Sequence, residues 1–199
     1  MTSITSITLE VPDVKAAEKF YKAAFDEIPE LKFKQSDAPT SGFRGYTLST
    51  IVSQPSIVNS LFASAVAAGA TVLSPVTPSM WGMGGVIQTP DGAIFNIATS
   101  NKKDKAPESR TIDHFVLLIG SDDVGASKKF YVDKGLKIGK SFGSYVEFDL
   151  KSSPVGLGLY KRKALAKVSA ISPDGTGSHR IILGGDAGAF TDPDGFEWA

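Results

Sequence analysis

A short turn followed by an apolar strand occurs twice in this sequence, and this repeat limits the possible folds more than any other feature. The first copy begins at Pro90-Asp91-Gly92 and the second at Pro193-Asp194-Gly195. In both copies proline presets one backbone angle, aspartate bonds to its own backbone and glycine can take a positive φ, which is typical of a tight turn. Two copies of one turn and strand predict a duplicated structural unit.

The beginning of the unit is repeated as well. Each copy has an apolar strand, an acidic residue that suits a helix N-cap, and a helix that carries a Phe-Tyr pair. In order, these are residues 4–11, Asp13 and Phe20-Tyr21 in the first copy, and residues 112–119, Asp122 or Asp123, and Phe130-Tyr131 in the second. We therefore predict two modules, at residues 1–100 and 112–199, joined by a polar linker at residues 101–111.

Within a module we expect the first and last strands to be neighbours, which places residues 4–11 beside residues 86–98. Residues 77–85 are rich in glycine and predict a loop. The second module differs from the first at residues 161–177. The first module has its second helix at the corresponding place, but residues 161–177 show no apolar periodicity that would predict a helix. The two copies are thus related without being equivalent.

Composition excludes several classes of protein. The 199 residues include 21 basic and 21 acidic side chains, so no net field attracts nucleic acid, and none is expected as a partner. Cysteine is absent, which removes disulfides and thiolate ligands and fits a reducing compartment. No apolar run is long enough to span a bilayer. We expect a cytoplasmic protein with no membrane partner, as a monomer or a homodimer.

The repeated strand, acidic cap, Phe-Tyr helix and Asp-Pro-Asp-Gly turn resemble those of the vicinal oxygen chelate superfamily, which includes glyoxalases, bleomycin resistance proteins and extradiol dioxygenases. The resemblance covers essentially the whole chain. It implies an α+β fold in which two tandem βαβββ modules join their sheets into a cup, with helices outside. In this family the cup holds a divalent metal or a small organic ligand, and the fold alone does not specify the reaction.

The resemblance also implies where a metal would be held, on the first and last strands of the modules. The corresponding positions are Ser6, His114, Asn96 and Ala199. Only the histidine is a good ligand, whereas catalytic divalent sites need about three carboxylate, imidazole or thiolate ligands. We therefore expect no metal cofactor. In an alternative interpretation the protein binds iron, nickel, zinc or manganese, because His114, His179 and Glu197 resemble the two-histidine, one-carboxylate triad of the family's iron dioxygenases.

Other side chains are candidates for binding an organic ligand. Glu10 lies on the polar face of the first strand, and burial there would let it act as a general base without metal. Arg44 and Tyr46 share one face of a strand, and Trp81 lies in the glycine-rich loop. Together they suit a ligand with a flat ring and a carboxylate or phenolic group.

Three functions remain open at this point. The first is binding of a small organic molecule for sequestration or resistance, which the missing metal ligands favour. The second is a metal-dependent lyase or dioxygenase that would use His114, His179 and Glu197. The third is a metal-free enzyme that would use Glu10.

Overall fold

The computed structural model describes residues 2–107 and 109–199. Its helices are α1 (Val14–Phe25), α2 (Pro55–Ala67), α3 (Val124–Asp133) and α4 (Arg162–Val168). Within the described residues, none of these helices has both the length and the apolar character needed to cross a membrane.

Local sequence signals explain where the helices begin. The Asp13 side chain accepts a hydrogen bond from the backbone N–H of Ala16, and Asp123 does the same for Ala126. Both carboxylates therefore act as N-caps, as predicted, and Asp123 rather than Asp122 has this role. Helix α2 instead begins with Pro55, whose fixed φ suits the first turn.

An eight-stranded sheet contains two βαβββ units. Its strands, in spatial order, are β5 (Thr71–Ser79), β6 (Gly82–Gln88), β7 (Ile94–Thr99), β4 (Tyr46–Ile51), β8 (His114–Ser121), β11 (Val155–Lys161), β10 (Tyr145–Phe148) and β9 (Ile138–Phe142). In each unit the first strand is parallel to the last, β4 beside β7 and β8 beside β11. The units meet where β4 and β8 pair antiparallel. The predicted α+β fold of two tandem βαβββ modules is confirmed.

A second sheet of five strands joins the two ends of the chain. Its spatial order is β14 (Phe190–Thr191), β15 (Glu197–Trp198), β13 (Ile181–Gly185), β1 (Ile4–Val11) and β2 (Leu31–Gln35). The short strands β3 (Thr40–Gly42) and β12 (Gly175–Gly177) form a separate pair. Each predicted module range thus contains one βαβββ unit together with strands of the five-stranded sheet.

The predicted pairing of residues 4–11 with residues 86–98 is wrong. Strand β1 pairs with β13 and β2, whereas β7 pairs with β4 and β6. The apolar face of β1, which includes Ile7 and Leu9, is in register with Leu183 and Ile181 of β13. Alternation predicts such a face correctly but does not identify the strand that it adjoins.

The repeated Phe-Tyr helix and Pro-Asp-Gly turn contact each other in both copies. The hydroxyl of Tyr21 on α1 donates to Oγ1 of Thr89, 3.3 Å away, at the first turn. The hydroxyl of Tyr131 on α3 donates to Asp192 at the second turn. Both contacts are buried, so the tyrosine of each helix anchors the turn of its own repeat.

Two local predictions were also wrong. Residues 77–85 are largely the hairpin of β5 and β6, and residues 161–177 include helix α4. This helix is too short to show a clear apolar period, which explains why the sequence did not predict it. Its Leu165 and Ala166 are buried in a cluster with Val86 and Ile94 of the eight-stranded sheet. Helix α4 thereby covers part of one face of that sheet, while α2 packs on the other face, where Phe62 lies beside Gly85.

Candidate functional site

A cavity of about 900 Å³ lies on the same face of the eight-stranded sheet as α4. We call it the cup cavity. Strands β4, β7, β8, β9, β10 and β11 contribute to its wall, and the segment that connects β10 to β11 contributes its edge. Its size is within the range of small-molecule sites in proteins. The lining combines apolar side chains with polar and charged ones.

Four residues in register form the floor of the cup cavity. Ser49 of β4 lies between Asn96 of β7 and Val116 of β8, and Val116 is in turn paired with Gly156 of β11. All four line the cavity. Ser49 is only 3% exposed, and its hydroxyl has no hydrogen-bond partner among the described residues. The floor therefore offers one buried hydroxyl and the neighbouring amide of Asn96.

Strand β11 presents two glycines to the cavity, Gly156 and Gly158. Neither has a positive φ, so backbone conformation does not require glycine at either position. A Cβ on Gly156 would lie 3.2 Å from the Val116 side chain, and one on Gly158 would lie 2.9 Å from that of Leu118. Glycine inside a strand often marks a close approach to the backbone. Here glycine leaves room for the side chains of Val116 and Leu118 on the neighbouring strand β8.

A pair of tyrosines stands at the far end of this strip. Tyr145 of β10 and Tyr160 of β11 are cross-strand neighbours whose ring centroids are 4.8 Å apart. The Tyr145 hydroxyl donates to Glu147, 3.1 Å away. Burial, and secondly the nearby Glu147 carboxylate, raises the pKa of both tyrosines above its ordinary value. Both hydroxyls therefore stay protonated at neutral pH.

The charged side chains of the wall form ion pairs. Lys140 lies 3.6 Å from Glu147, and Lys151 lies 3.8 Å from Asp149. Both lysines are well exposed, so these pairs contribute little to stability. Their effect on the cavity is that each positive charge is matched by a negative one.

Two predicted site residues line the cup cavity, Asn96 and His114. Ser6 and Glu10 do not, because β1 belongs to the five-stranded sheet. Glu10 forms an ion pair with Lys34 of the neighbouring strand β2, at 3.1 Å. The structure thus places the proposed general base away from the cavity. Ala199 follows β15 in the same five-stranded sheet, so the four positions matched to the family's metal ligands are divided between two sheets.

The remaining ligand candidates have other surroundings. Arg44 donates to the backbone oxygen of Asp91 and so supports the first Pro-Asp-Gly turn. Tyr46 is buried in the main core and packs edge-on against Phe196. Trp81 is 83% exposed at the turn between β5 and β6. None of these three residues lines the cup cavity. Tyr46 belongs to β4, but its side chain is in the main core, so the three do not meet at one site.

The alternative metal triad is not assembled either. Both ring nitrogens of His179 are within hydrogen-bond distance of backbone oxygens, those of Arg44 and Asp194, and its ring stacks on Phe196 with centroids 4.0 Å apart. Glu197 lies on β15 of the five-stranded sheet, whereas His114 lies on β8 of the other. In the described part of the chain, no three His, Asp or Glu side chains form a metal-binding group. The floor residues Ser49, Asn96, Val116 and Gly156 do not fit a divalent metal, since they offer no carboxylate or imidazole.

Several wall residues were not predicted from the sequence, namely Ser49, Tyr145, Glu147, Gly156, Gly158 and Tyr160. One signal was available. Gly156 and Gly158 alternate with apolar residues in a predicted strand, a pattern that indicates a surface without side chains on one face. Ser49 gave no comparable signal, because its strand is covered on both faces and has no alternation of burial.

No family model and no curated protein matches the sequence. Solved structures do match the fold. Glyoxalase I from Zea mays aligns with a TM-score of 0.65 at 13% identity, over 100% of this chain and 91% of that one. A putative dioxygenase from Bacillus subtilis subsp. subtilis str. 168 aligns with a TM-score of 0.58 at 12% identity, over 96% of this chain and 71% of that one. Matches at identities this low establish the fold alone. Together with the paired βαβββ units, these matches show that the chain has the vicinal oxygen chelate fold.

Proposed function

We propose that this protein binds a small organic molecule in the cup cavity without a metal, and holds the molecule without changing it chemically. The observation that carries the proposal is the floor of the cavity. The two paired βαβββ units bring Ser49, Asn96, Val116 and Gly156 into one row of this floor. These groups suit hydrogen bonding and close packing, and they lack the carboxylate or imidazole set that metal-assisted chemistry needs.

Features of the wall support binding rather than catalysis. The carboxylates on the wall, Glu147 and Asp149, are each close to a lysine. A general base must lie within hydrogen-bond reach of the proton that it removes. Glu10, the carboxylate expected to have this role, is in the other sheet. Sequestration of an intact ligand requires none of these groups to react.

A cavity-filling variant tests the location of the site. Val116 is half-buried at the centre of the floor, and phenylalanine at this position extends into the cavity while keeping a side chain that suits a strand. We expect Val116→Phe to raise the Kd of compounds found by thermal-shift screening by about tenfold or more. Isothermal titration would measure the change.

The matched control is Val72→Phe, on the edge strand β5, where the valine is 43% exposed and outside the cup cavity. This variant should bind with unchanged affinity. Equal effects of the two substitutions would place the site elsewhere. Mass spectrometry of the ligand after prolonged incubation distinguishes sequestration from catalysis, because a lyase or dioxygenase returns a product of different structure or mass.

Chelators are expected to leave the protein unaffected. A metal that binds only the folded state raises thermal stability, so its removal lowers the unfolding midpoint. With His114 as the only imidazole in the cavity wall, we expect no change of midpoint with EDTA, and none on adding iron, nickel, zinc or manganese. His114→Ala should change ligand affinity by no more than about 1.5 kcal/mol, the net value of one neutral hydrogen bond.

The opposite outcome is easily recognised. A midpoint that falls by several degrees with chelator, and recovers with one equivalent of a divalent ion, would contradict a metal-free site. It would favour the metal-dependent lyase or dioxygenase instead.

A further inference from the structure

The cup cavity has two distinct ends, and the distance between them limits the shape of a ligand. Ser49 and Tyr160 lie on strands that are both neighbours of β8, so their strands are about 10 Å apart. Tyr160 also lies four residues along β11 from Gly156, which is in the row of Ser49. Four residues span about 13 Å, so the two Cα atoms are roughly 16 Å apart in a flat sheet.

The inner end needs a hydrogen-bonding partner. The hydroxyl of Ser49 is buried and has no partner within the described residues, and Asn96 is its register neighbour on β7. Hydroxyl groups in such surroundings are normally paired. A ligand hydroxyl placed here can accept from Ser49 or Asn96 and donate to the other, whereas a ligand carbonyl can accept from both.

The middle of the cavity favours a flat molecule. The Val116 side chain lies against Gly156, and those of Leu118 and Tyr145 lie against Gly158, so the surface here consists of apolar side chains that lean over β11. At the outer end the rings of Tyr145 and Tyr160 form an aromatic wall. Fused aromatic rings can lie on such a strip and pack against tyrosines at its end. A hydrogen bond of about 3 Å at the inner end and a ring contact of about 4 Å at the outer end leave roughly 9 Å, or about three fused rings.

The charges of the wall favour a neutral ligand. Lys140 is paired with Glu147 and Lys151 with Asp149, so neither an anion nor a cation meets an unmatched partner at these positions. A charged ligand would lose its hydration without a compensating ion pair. His114 lies at the edge, exposed to solvent, and is able to remain hydrated.

We propose, resting on the proposed function, that the ligand class of the cup cavity is neutral, flat compounds of about three fused aromatic rings. Such a compound carries one hydroxyl or carbonyl group, which hydrogen-bonds to Ser49 and Asn96. Its rings lie on the strip beside Gly156 and reach the Tyr145 and Tyr160 pair.

A series of four probes that share one three-ring system tests this assignment on the full chain. The probes are phenanthrene, 2-phenanthrol, phenanthrene-2-carboxylate and 2-(aminomethyl)phenanthrene, and their own fluorescence reports binding. We expect 2-phenanthrol to bind about tenfold or more tightly than each of the other three, because a site built to hydrogen-bond a hydroxyl discriminates against analogues that lack it.

Ser49→Ala is expected to remove most of this preference and to bring 2-phenanthrol within about threefold of phenanthrene, whose own affinity stays unchanged. Asn96→Ala is a second variant with the same expected direction, in case the first does not fold. Ser6→Ala is the matched control, since Ser6 is also a buried serine in a strand but belongs to the five-stranded sheet. It should leave the affinity of every probe unchanged.

Each other outcome identifies what has failed. If the carboxylate or the ammonium probe binds as tightly as 2-phenanthrol, or if Ser49→Ala and Asn96→Ala both keep the preference, the ligand class is wrong while the cup remains a binding site. If none of the four binds, the class is likewise wrong, and the thermal-shift screen decides on the proposed function. If Val116→Phe leaves the affinity of a bound probe unchanged, the probe is not in the cup, and both proposals are overturned.

Discussion

Replacing Asp192 by alanine is expected to lower the free energy of unfolding by roughly 3 kcal/mol or more, since each buried donor left without a partner costs about 1–3 kcal/mol. The carboxylate accepts from the hydroxyl of Tyr131 and from the backbone N–H groups of Asp194 and Phe196. Alanine leaves all three donors without this acceptor. Urea unfolding with an unchanged m value would measure the loss.

The surroundings of Asp192 make this cost large. The residue is only 5% exposed. Burial raises the pKa of its carboxyl, and the hydrogen bonds that it accepts only partly offset that effect, so the expected cost comes from the donors left without an acceptor and not from the charge. Trp198 adds a weaker contact of 3.4 Å to the Tyr131 hydroxyl. The turn therefore links α3 to β15, and its loss should loosen the C-terminal part of the five-stranded sheet.

Asp174→Ala is the matched control. Asp174 also stands in a Pro-Asp-Gly sequence, but it is exposed and its side chain contacts only Ser172 nearby. We expect a change within about 0.5 kcal/mol, as for most exposed substitutions. If the two variants were equally stable, the contact between Tyr131 and the second turn would have no role in holding the repeat together.

These contacts explain why the repeat was readable from the sequence. Tyr21 and Tyr131 each reach the turn of their own copy, so the helix and the turn are constrained together even though they are far apart in the chain. Short-range signals gave the starts of α1 and α3, because an N-cap is satisfied within three residues. These parts of the fold follow from local chemistry.

The strand partners could not be predicted in the same way. The alternation in β1 correctly gave an apolar face, but it does not determine which strand pairs with the edges of β1, which is β13 on one side. The choice depends on how the two ends of the chain pack, which no local pattern contains. Ser6 and Glu10 were assigned to the wrong sheet for this reason.

The candidate site was likewise predicted only in part from the sequence. Asn96 and His114 were placed in the cup because they were counted from the repeated turn and from the first strand of the second module. Ser49 was missed because β4 is central in its sheet and buried on both faces, so its polar side chain did not stand out. Finding it required the register between β4 and β7.

Phe95 is one of the large, fully buried side chains of the main core, and Phe95→Ala is expected to cost about 3–5 kcal/mol. Phe95 is fully buried on β7, where its ring packs against Phe25 of α1 at 5.1 Å and Phe115 of β8 at 6.4 Å between centroids. It thus joins a helix of the first repeat to the first strand of the second. Alanine leaves a cavity that these rings cannot close without moving the helix.

Phe142→Ala makes the same chemical change where it should have little effect. Phe142 is 85% exposed at the end of the edge strand β9. We expect a change within about 0.5 kcal/mol for this variant. Since small domains are stable by only about 5–15 kcal/mol, the loss at Phe95 would be visible as a large shift of the urea midpoint, and the loss at Phe142 would not. Similar shifts in the two variants would mean that the stack of Phe25, Phe95 and Phe115 does not unite the repeats, and that each half is stabilised separately.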